Sequence, residues 1–412
     1  MSPLPLDVLE HVVSFVQRDV DTTSFASIAL TSHAFHAVVR PMLSALKRST
    51  SLHVLGEVVG FDRPRHAVAS AGRLIILDQG VDYRVAGGHT VNSVCLNMLC
   101  VNEVDQALSQ AAVVHMHSLA HKLRFGDDVG DGIEFPWFAA IDGDELYVTD
   151  TGSEGQPVQV YNLSLLTTER LPSMSMQMLP WDSRSTFYCP DGSVLVRQWG
   201  EGTRLWTQGI AILDDRVFVV ETGRLVEMHP PGAETHYVPF TGIAEYSKAG
   251  EYERAWPVFF GEPGVNGVAI AAIGRELFVT NPRIHAVQVF DPDGTLLRQI
   301  GSPETVLLSA PCGICQFHRW VCISSLAEDG VYVCLFWPDG RLVRKIHILE
   351  ANGSDHADSE ANGGSEEGDT GVPKLPHFCF LSSDADHVYA SCSGTMHEMN
   401  RLIVLRATLD VE

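Results

Sequence analysis

A cysteine-rich segment in the last third of the chain has the residue types of a metal site. Cys312 and Cys315 are separated by two residues, and His318 and Cys322 follow shortly after them. Thiolates and imidazole nitrogens at such spacings are typical ligands of zinc. The alternative is that these are cysteines of buried strands, where the thiol behaves as a small apolar group. The elements that carry the four residues decide between the two interpretations.

A second group of candidates is polar and dispersed along the chain. Asp78, Asp150 and Asn281 each follow directly after a short apolar, β-branched segment, and they occupy equivalent places in it. Carboxylate and amide side chains of this kind can line the mouth of a ring-shaped fold and contact a substrate. Residues of the same types also terminate strands as turn residues, which is the favoured alternative. We take the three as candidates for substrate binding.

The common catalytic motifs are absent from the sequence. It has no Gly-rich loop ending in Gly-Lys-Ser/Thr, no Gly-x-Ser-x-Gly elbow and no His-Glu-x-x-His pair. The 18 histidines are dispersed rather than grouped. We therefore predict no catalytic residue, no bound metal and no cofactor.

Composition narrows the classes of function. The chain has 412 residues, is 45% hydrophobic, and carries a formal net charge of −23. That charge opposes phosphate-backbone binding, so we expect no nucleic-acid partner. No stretch resembles a secretion signal or a membrane-spanning segment, and the nine cysteines are scattered. These features favour a protein of the cytoplasm, the nucleus or both.

The elements that position these residues come from an internal repeat. The motif Pro-Asp-Gly, followed by a segment in which apolar and polar residues alternate, occurs at 190–200, 292–301 and 338–346. Pro-Asp-Gly is typical of a tight turn, and the alternation after it is typical of a strand. Around these motifs the chain divides into six units of about four strands each.

Within each unit the strands follow one another in a constant order. A small apolar strand comes first, a β-branched or aromatic strand second, and a third strand of similar composition is clear in five units. The first strands are predicted at 67–69, 138–140, 209–211, 267–269, 313–314 and 378–380, the second at 74–77, 146–149, 217–220, 277–280, 321–324 and 387–390, and the third at 113–116, 158–161, 287–290, 331–333 and 402–405.

Radial repetition of four-stranded sheets predicts a mainly β fold, a six-bladed β-propeller, over residues 49–412. The amino-acid sequence of the repeat resembles that of NHL-type repeats, as in Phe125-Gly126, Leu146–Gly152 and Val158–Tyr161. The repeat also decides the role of the cysteines. Cys315 and Cys322 align with strand positions in the other units, so a structural role is favoured over a metal site.

The ends of the chain predict how the ring closes. The last unit lacks a fourth strand, and residues 52–56 provide one, which would leave no open sheet edge. Insertions lengthen the first two units at roughly 86–110 and 162–185. Residues 350–372 are rich in Asp and Glu with no basic residue, and predict a disordered acidic insertion.

Residues 1–48 have a different pattern. Leu6, Leu9, Val12, Val13 and Val16 recur at helical spacing, and two further short helices are predicted around Ile28 and Phe35. The order of Leu4-Pro5, an apolar helix, an Asp-containing break and a Phe/Ile/Leu helix resembles the F-box. It departs at Leu43-Ser44, where many F-boxes have Leu-Trp. The resemblance implies docking to a Skp-type adaptor through Leu4, Pro5, Leu9, Val12, Phe15, Ile28 and Phe35.

These resemblances together imply the substrate-recognition subunit of a Skp–cullin–F-box ubiquitin ligase. The F-box would hold the adaptor and the cullin–RING ligase, and the propeller would bind a target protein that the sequence does not identify. Two alternatives remain. One is a six-bladed propeller enzyme of the hydrolase or lactonase kind, and the other is an NHL-like interaction scaffold without a role in ubiquitin transfer.

Overall fold

The computed structural model describes residues 50–79, 82–84, 90–92, 95–116, 121–123, 136–150, 158–165, 195–199, 205–226, 237–258, 268–302, 304, 307–350, 376–394 and 400–409. The larger compact unit of the chain, Val54–Leu405, contains six sheets of at least four strands. Each sheet is one blade, and the predicted six-bladed β-propeller is confirmed. The predicted module at 1–48 and the acidic insertion at 350–372 lie outside the described residues, apart from Glu350, which ends a strand.

Five blades consist of strands that follow the chain from the innermost position outward. They are β2 (Pro64–Ser70), β3 (Arg73–Asp78), β6 (Cys95–Cys100) and β8 (His121–Leu123) in blade 1; β9 (Pro136–Asp142), β10 (Glu145–Asp150), β11 (Val158–Asn162) and β12 (Leu195–Trp199) in blade 2; β13 (Leu205–Leu213), β14 (Arg216–Val226), β15 (Tyr237–Ser247) and β16 (Tyr252–Pro257) in blade 3; β17 (Ile270–Ile273), β18 (Glu276–Asn281), β19 (Ala286–Phe290) and β20 (Leu296–Ile300) in blade 4; and β21 (Pro311–Phe317), β22 (Trp320–Ala327), β23 (Gly330–Phe336) and β24 (Leu342–Glu350) in blade 5. Between β3 and β6, the short strands β4 (Asp82–Arg84) and β5 (Thr90–Asn92) pair with each other.

Blade 6 combines strands from distant parts of the chain. Its strands are β25 (Phe378–Ser383), β26 (His387–Ser393), β27 (Arg401–Leu409) and β1 (Thr50–Val59), with β7 (Val113–His115) added in parallel at its outer edge. β1 lies beside β27, and Arg401 Nη1 lies 2.8 Å from Glu57 Oε2. The closing strand therefore covers the predicted 52–56 and extends beyond it at both ends.

The six innermost strands form a complete ring. β2 contacts β9, β9 contacts β13, and the succession continues through β17 and β21 to β25, which contacts β2. The apolar side chains of the second strands are buried, because they pack between neighbouring blades. Leu146 to Val148, for example, have no exposed surface.

Two parts of blade 1 differ from the prediction. The third strand is Cys95–Cys100, inside the predicted insertion, and Val113–His115 pairs with blade 6 instead. The strand Cys95–Cys100 was missed because it has no β-branched residue, and such residues are the usual mark of a strand. The helix α1 (Val101–Gln110), which lies between these two strands, buries Val104 and Leu108 in the core.

A search of the described residues finds no helix with the length and hydrophobicity of a membrane span.

One arrangement recurs at three successive blade junctions. An arginine of the outermost strand pairs with a glutamate of its own blade and donates to a backbone carbonyl in the turn of the next blade. A glycine of that turn packs on an outermost-strand side chain of the first blade. The sets are Arg197 with Glu145, Lys248 O, Gly250 and Trp199; Arg254 with Glu245, Pro292 O, Gly294 and Trp256; and Arg298 with Glu276, Pro338 O, Gly340 and Ile300.

Candidate functional site

The inner strands enclose a cavity of about 290 Å³ to which all six blades contribute. Most of the residues that line it are apolar, and several are small, as with Ala139, Ala211 and Ala269. Its polar groups are few, and they include His66, Gln316 and Ser382. A cavity of this kind can hold a small ligand by shape, but it offers little acid–base chemistry.

His66 is the histidine of the cavity wall, and both of its ring nitrogens are engaged. Nδ1 accepts a hydrogen bond from the backbone N–H of Ala139 at 3.2 Å, so Nε2 carries the proton and donates to Leu381 O at 3.2 Å. The ring packs 5.1 Å from the Phe138 ring, measured between centroids. Desolvation lowers the pKa of His66 to about 4. The neutral imidazole thus joins blades 1, 2 and 6.

Asp78, Asp150 and Asn281 lie at the carboxyl ends of their second strands, where the innermost strands begin. All three are almost completely buried, and none is among the described residues that line the cavity. Asp78 accepts hydrogen bonds from the backbone N–H groups of Asp62 at 3.1 Å and Arg63 at 2.7 Å. Asp78 therefore holds the segment that leads into β2.

Asn281 and Asp150 are similarly engaged within their own blades. The amide of Asn281 donates to Gln288 Oε1 at 3.2 Å and accepts from the backbone N–H of Ile284 at 3.4 Å. Asp150 lies close enough to Tyr161 to contribute to a raised pKa of that phenol, after the larger effect of burial. These contacts describe three strand ends rather than one assembled site.

The analogous position in blade 3 holds Glu221, which sequence reasoning missed. It is buried, and it accepts a hydrogen bond from the Tyr246 hydroxyl at 2.7 Å. Desolvation raises the pKa of Glu221 to about 7, against a smaller opposing effect of the Tyr246 hydrogen bond. The signal was present in the repeat, because Glu221 aligns with Asp78 and Asp150.

The cysteine-rich segment lies in blade 5. Cys315 and Cys322 face each other across β21 and β22, and both are buried. Cys312 Sγ donates to Cys379 O at 3.2 Å, and burial raises the pKa of its thiol to about 11. Among the described residues, no group of three His, Cys, Asp or Glu side chains has metal-site geometry. The predicted adaptor-binding residues, Leu4 to Phe35, lie outside the described residues.

A second cavity, also of about 290 Å³, opens where β2 and β25 begin. It is lined by Arg63, Arg65, His377, Phe378, Ser393 and Gly394. Unlike the first cavity, it concentrates basic side chains at the junction of blades 6 and 1. No sequence motif marks it, because its residues come from widely separated parts of the chain.

No protein-family model matches the chain, and no curated protein matches it. Solved structures with a similar fold include a protein of unknown function from Bacteroides thetaiotaomicron VPI-5482, at 8% identity and a TM-score of 0.49, covering 87% of this chain and 76% of that one. Virginiamycin B lyase from Staphylococcus aureus is 10% identical, with a TM-score of 0.43, and covers 87% of this chain and 99% of its own. Chaetomium thermophilum Raptor is 11% identical, with a TM-score of 0.45, over 89% of this chain and 30% of its own. The assignment of six blades depends on the sheets themselves.

Proposed function

We propose that this chain is the substrate-recognition subunit of a Skp–cullin–F-box ubiquitin ligase. In this proposal, residues 1–48 form a three-helix F-box that binds a Skp-type adaptor, and an NHL-like propeller binds the target protein. Such a receptor acts by raising the concentration of the target near the ligase rather than by bond chemistry. The protein would work in the cytoplasm, the nucleus or both.

The observation that carries the proposal is the placement of the blades along the chain. In the part of the chain that the structure describes, the strands of the six blades lie between Thr50 and Leu409, and their innermost strands form a complete ring. The apolar pattern that resembles an F-box ends before the first of these strands. The ring of innermost strands is complete without these apolar residues, which supports a separate role for them in binding an adaptor.

Co-purification with a purified Skp-type adaptor tests the proposal. The full chain is expected to bind the adaptor, and Val12→Asp is expected to abolish binding by placing a charge on the apolar helix face. Val343→Asp is the matched control, because Val343 is 42% exposed on blade 5. Failure of the folded wild-type chain to bind the adaptor, or equal binding by both variants, would contradict the proposal.

A further inference from the structure

The cavity at the junction of blades 6 and 1 has an unusual arginine. The guanidinium of Arg65 lies between two aromatic rings, 4.5 Å from the centroid of Trp137 and 5.3 Å from that of Phe378. Its Nε donates to Gln79 Oε1 at 2.8 Å, and its Nη2 donates to the same oxygen. The side chain is therefore fixed in place, with Nη1 left without an acceptor among the described residues.

Three other stacked arginines each have a carboxylate partner that Arg65 lacks within the described residues. Arg197, Arg254 and Arg298 also lie over aromatic rings, and each has a glutamate partner within 2.7 Å. These glutamates raise the pKa of each of the three arginines. Arg65 instead contacts a neutral amide, and in the described part of the chain no carboxylate forms an ion pair with it.

A second positive charge lies close to Arg65. Desolvation, followed by repulsion from Arg63, lowers the pKa of Arg65 to about 10. Arg63, His377 and the Ser393 hydroxyl group line the same cavity. This basic site occurs in a chain whose net charge is −23, so it is not part of a generally basic surface.

The backbone of Arg63 is held in place by a contact with Asp78. The carboxylate of Asp78 accepts the backbone N–H of Arg63, which holds the segment just before β2 against the end of β3. Both arginines line the same cavity. Two guanidinium groups in one cavity suit an oxyanion, which can accept several charge-assisted hydrogen bonds at once.

We propose that the cavity formed by Arg63, Arg65, His377, Phe378, Ser393 and Gly394 binds an oxyanion, either a phosphate monoester or a carboxylate. Arg65 provides the central contact through Nη1, and Arg63 adds the second positive charge. The half-buried ring of Phe378, which lines the cavity, favours an anion attached to an apolar group. This inference does not depend on the proposed ligase function, since it concerns the propeller alone.

Isothermal titration calorimetry on the full chain tests the inference with two probes, phenyl phosphate and benzoate, at pH 7 and constant ionic strength. At least one probe is expected to bind at a single saturable site. Binding of phenyl phosphate alone assigns the site to phosphate monoesters, and binding of benzoate alone assigns it to carboxylates. If neither probe binds the wild-type chain, the inference is wrong.

Arg65→Gln is expected to weaken binding by at least about tenfold, because it removes the fixed guanidinium. Arg341→Gln removes the same charge from an exposed site on blade 5 and is expected to leave the affinity unchanged. Equal loss in the two variants would show attraction by net charge and would overturn the inference.

Loss of Arg65 also removes contacts with two rings, so thermal unfolding is measured alongside the titrations. If Arg65→Gln does not fold, Arg63→Gln decides, since it leaves the stacked guanidinium in place. Weaker binding by Arg63→Gln supports the site, and unchanged binding overturns it.

Discussion

Burial gives Glu221 and His66 opposite effects on the pH dependence of stability. The pKa of Glu221 is raised from 4.5 to about 7, so its contribution to stability is complete below pH 4.5 and is lost as the pH rises through 7. The pKa of His66 is lowered from 6.5 to about 4, so its contribution is complete above pH 6.5 and is lost as the pH falls through 4. Between these limits the two effects partly cancel.

Glu221→Gln should stabilise the protein at high pH. Glutamine keeps an acceptor for the Tyr246 hydroxyl and has no proton to lose, so the free energy of unfolding at pH 8 is expected to rise by about 3 kcal/mol. At pH 4 the carboxyl is protonated in both states, and the variant should match the wild type. Denaturant unfolding at the two pH values measures this. A similar change in the free energy of unfolding at pH 8 and pH 4 would show that ionisation of Glu221 is not the cause.

His66→Gln should have the opposite profile. At pH 7 the variant loses one of the two ring hydrogen bonds, which is expected to cost about 1–3 kcal/mol. As the pH falls from 6.5 towards 4 the wild type loses its own contribution, so the difference between the two proteins should shrink. His115→Gln, at an exposed position, is the control and should show neither effect. A constant difference from pH 7 to pH 4 would contradict the expected neutral imidazole.

At the scale of the element, the Pro-Asp-Gly turn connects neighbouring blades as well as strands. Gly294 has a φ of +88°, and a Cβ placed on it would lie 2.7 Å from the Trp256 ring. Arg254 of the same strand as Trp256 donates to Pro292 O in that turn. The turn therefore needs glycine for its backbone conformation and for close contact with the preceding blade.

Gly294→Ala should destabilise the protein more than Gly274→Ala does. Both glycines have positive φ, but a Cβ at Gly274 meets no atom within 4 Å. Alanine at either position is expected to cost about 1 kcal/mol for the backbone, and Gly294→Ala should cost about 1–3 kcal/mol more for displacing Trp256. Denaturant unfolding measures both. Equal losses would mean that the contact with Trp256 contributes nothing.

The sequence predicted the elements better than their contacts. The Pro-Asp-Gly motif identified the turns of blades 4 and 5, and the alternation of apolar and polar residues after it identified their outermost strands. The contact of Gly294 with Trp256 could not be predicted, because it joins residues of different blades with no local pattern. The same holds for the basic cavity, where Arg65 and Phe378 are more than 300 positions apart. The strand Cys95–Cys100 was missed for a different reason. Its strand propensity is weak, and pairing in the sheet overrides that propensity.

At the scale of the whole molecule, the ring depends on one strand from near the start of the chain. Val58 of β1 is fully buried in a cluster with Leu402 and Val404 of β27 and with Leu74 of blade 1. This cluster fills the junction of blades 6 and 1, which is also the junction that carries the basic cavity. A defect in β1 would therefore affect both the closure of the ring and the position of Arg65.

Val58→Asp should disrupt closure, whereas Val54→Asp should not. A carboxylate at Val58 would be buried without a partner, at a cost of several kcal/mol, and the unpaired edge of β27 would favour aggregation. Val54 lies in the same strand but is 43% exposed, so the same charge there should leave the thermal midpoint within a few degrees of the wild type. Thermal unfolding and size-exclusion chromatography distinguish the two variants. If Val58→Asp eluted like Val54→Asp and were equally stable, β1 would be an accessory strand, and the ring would be held by the other blades alone.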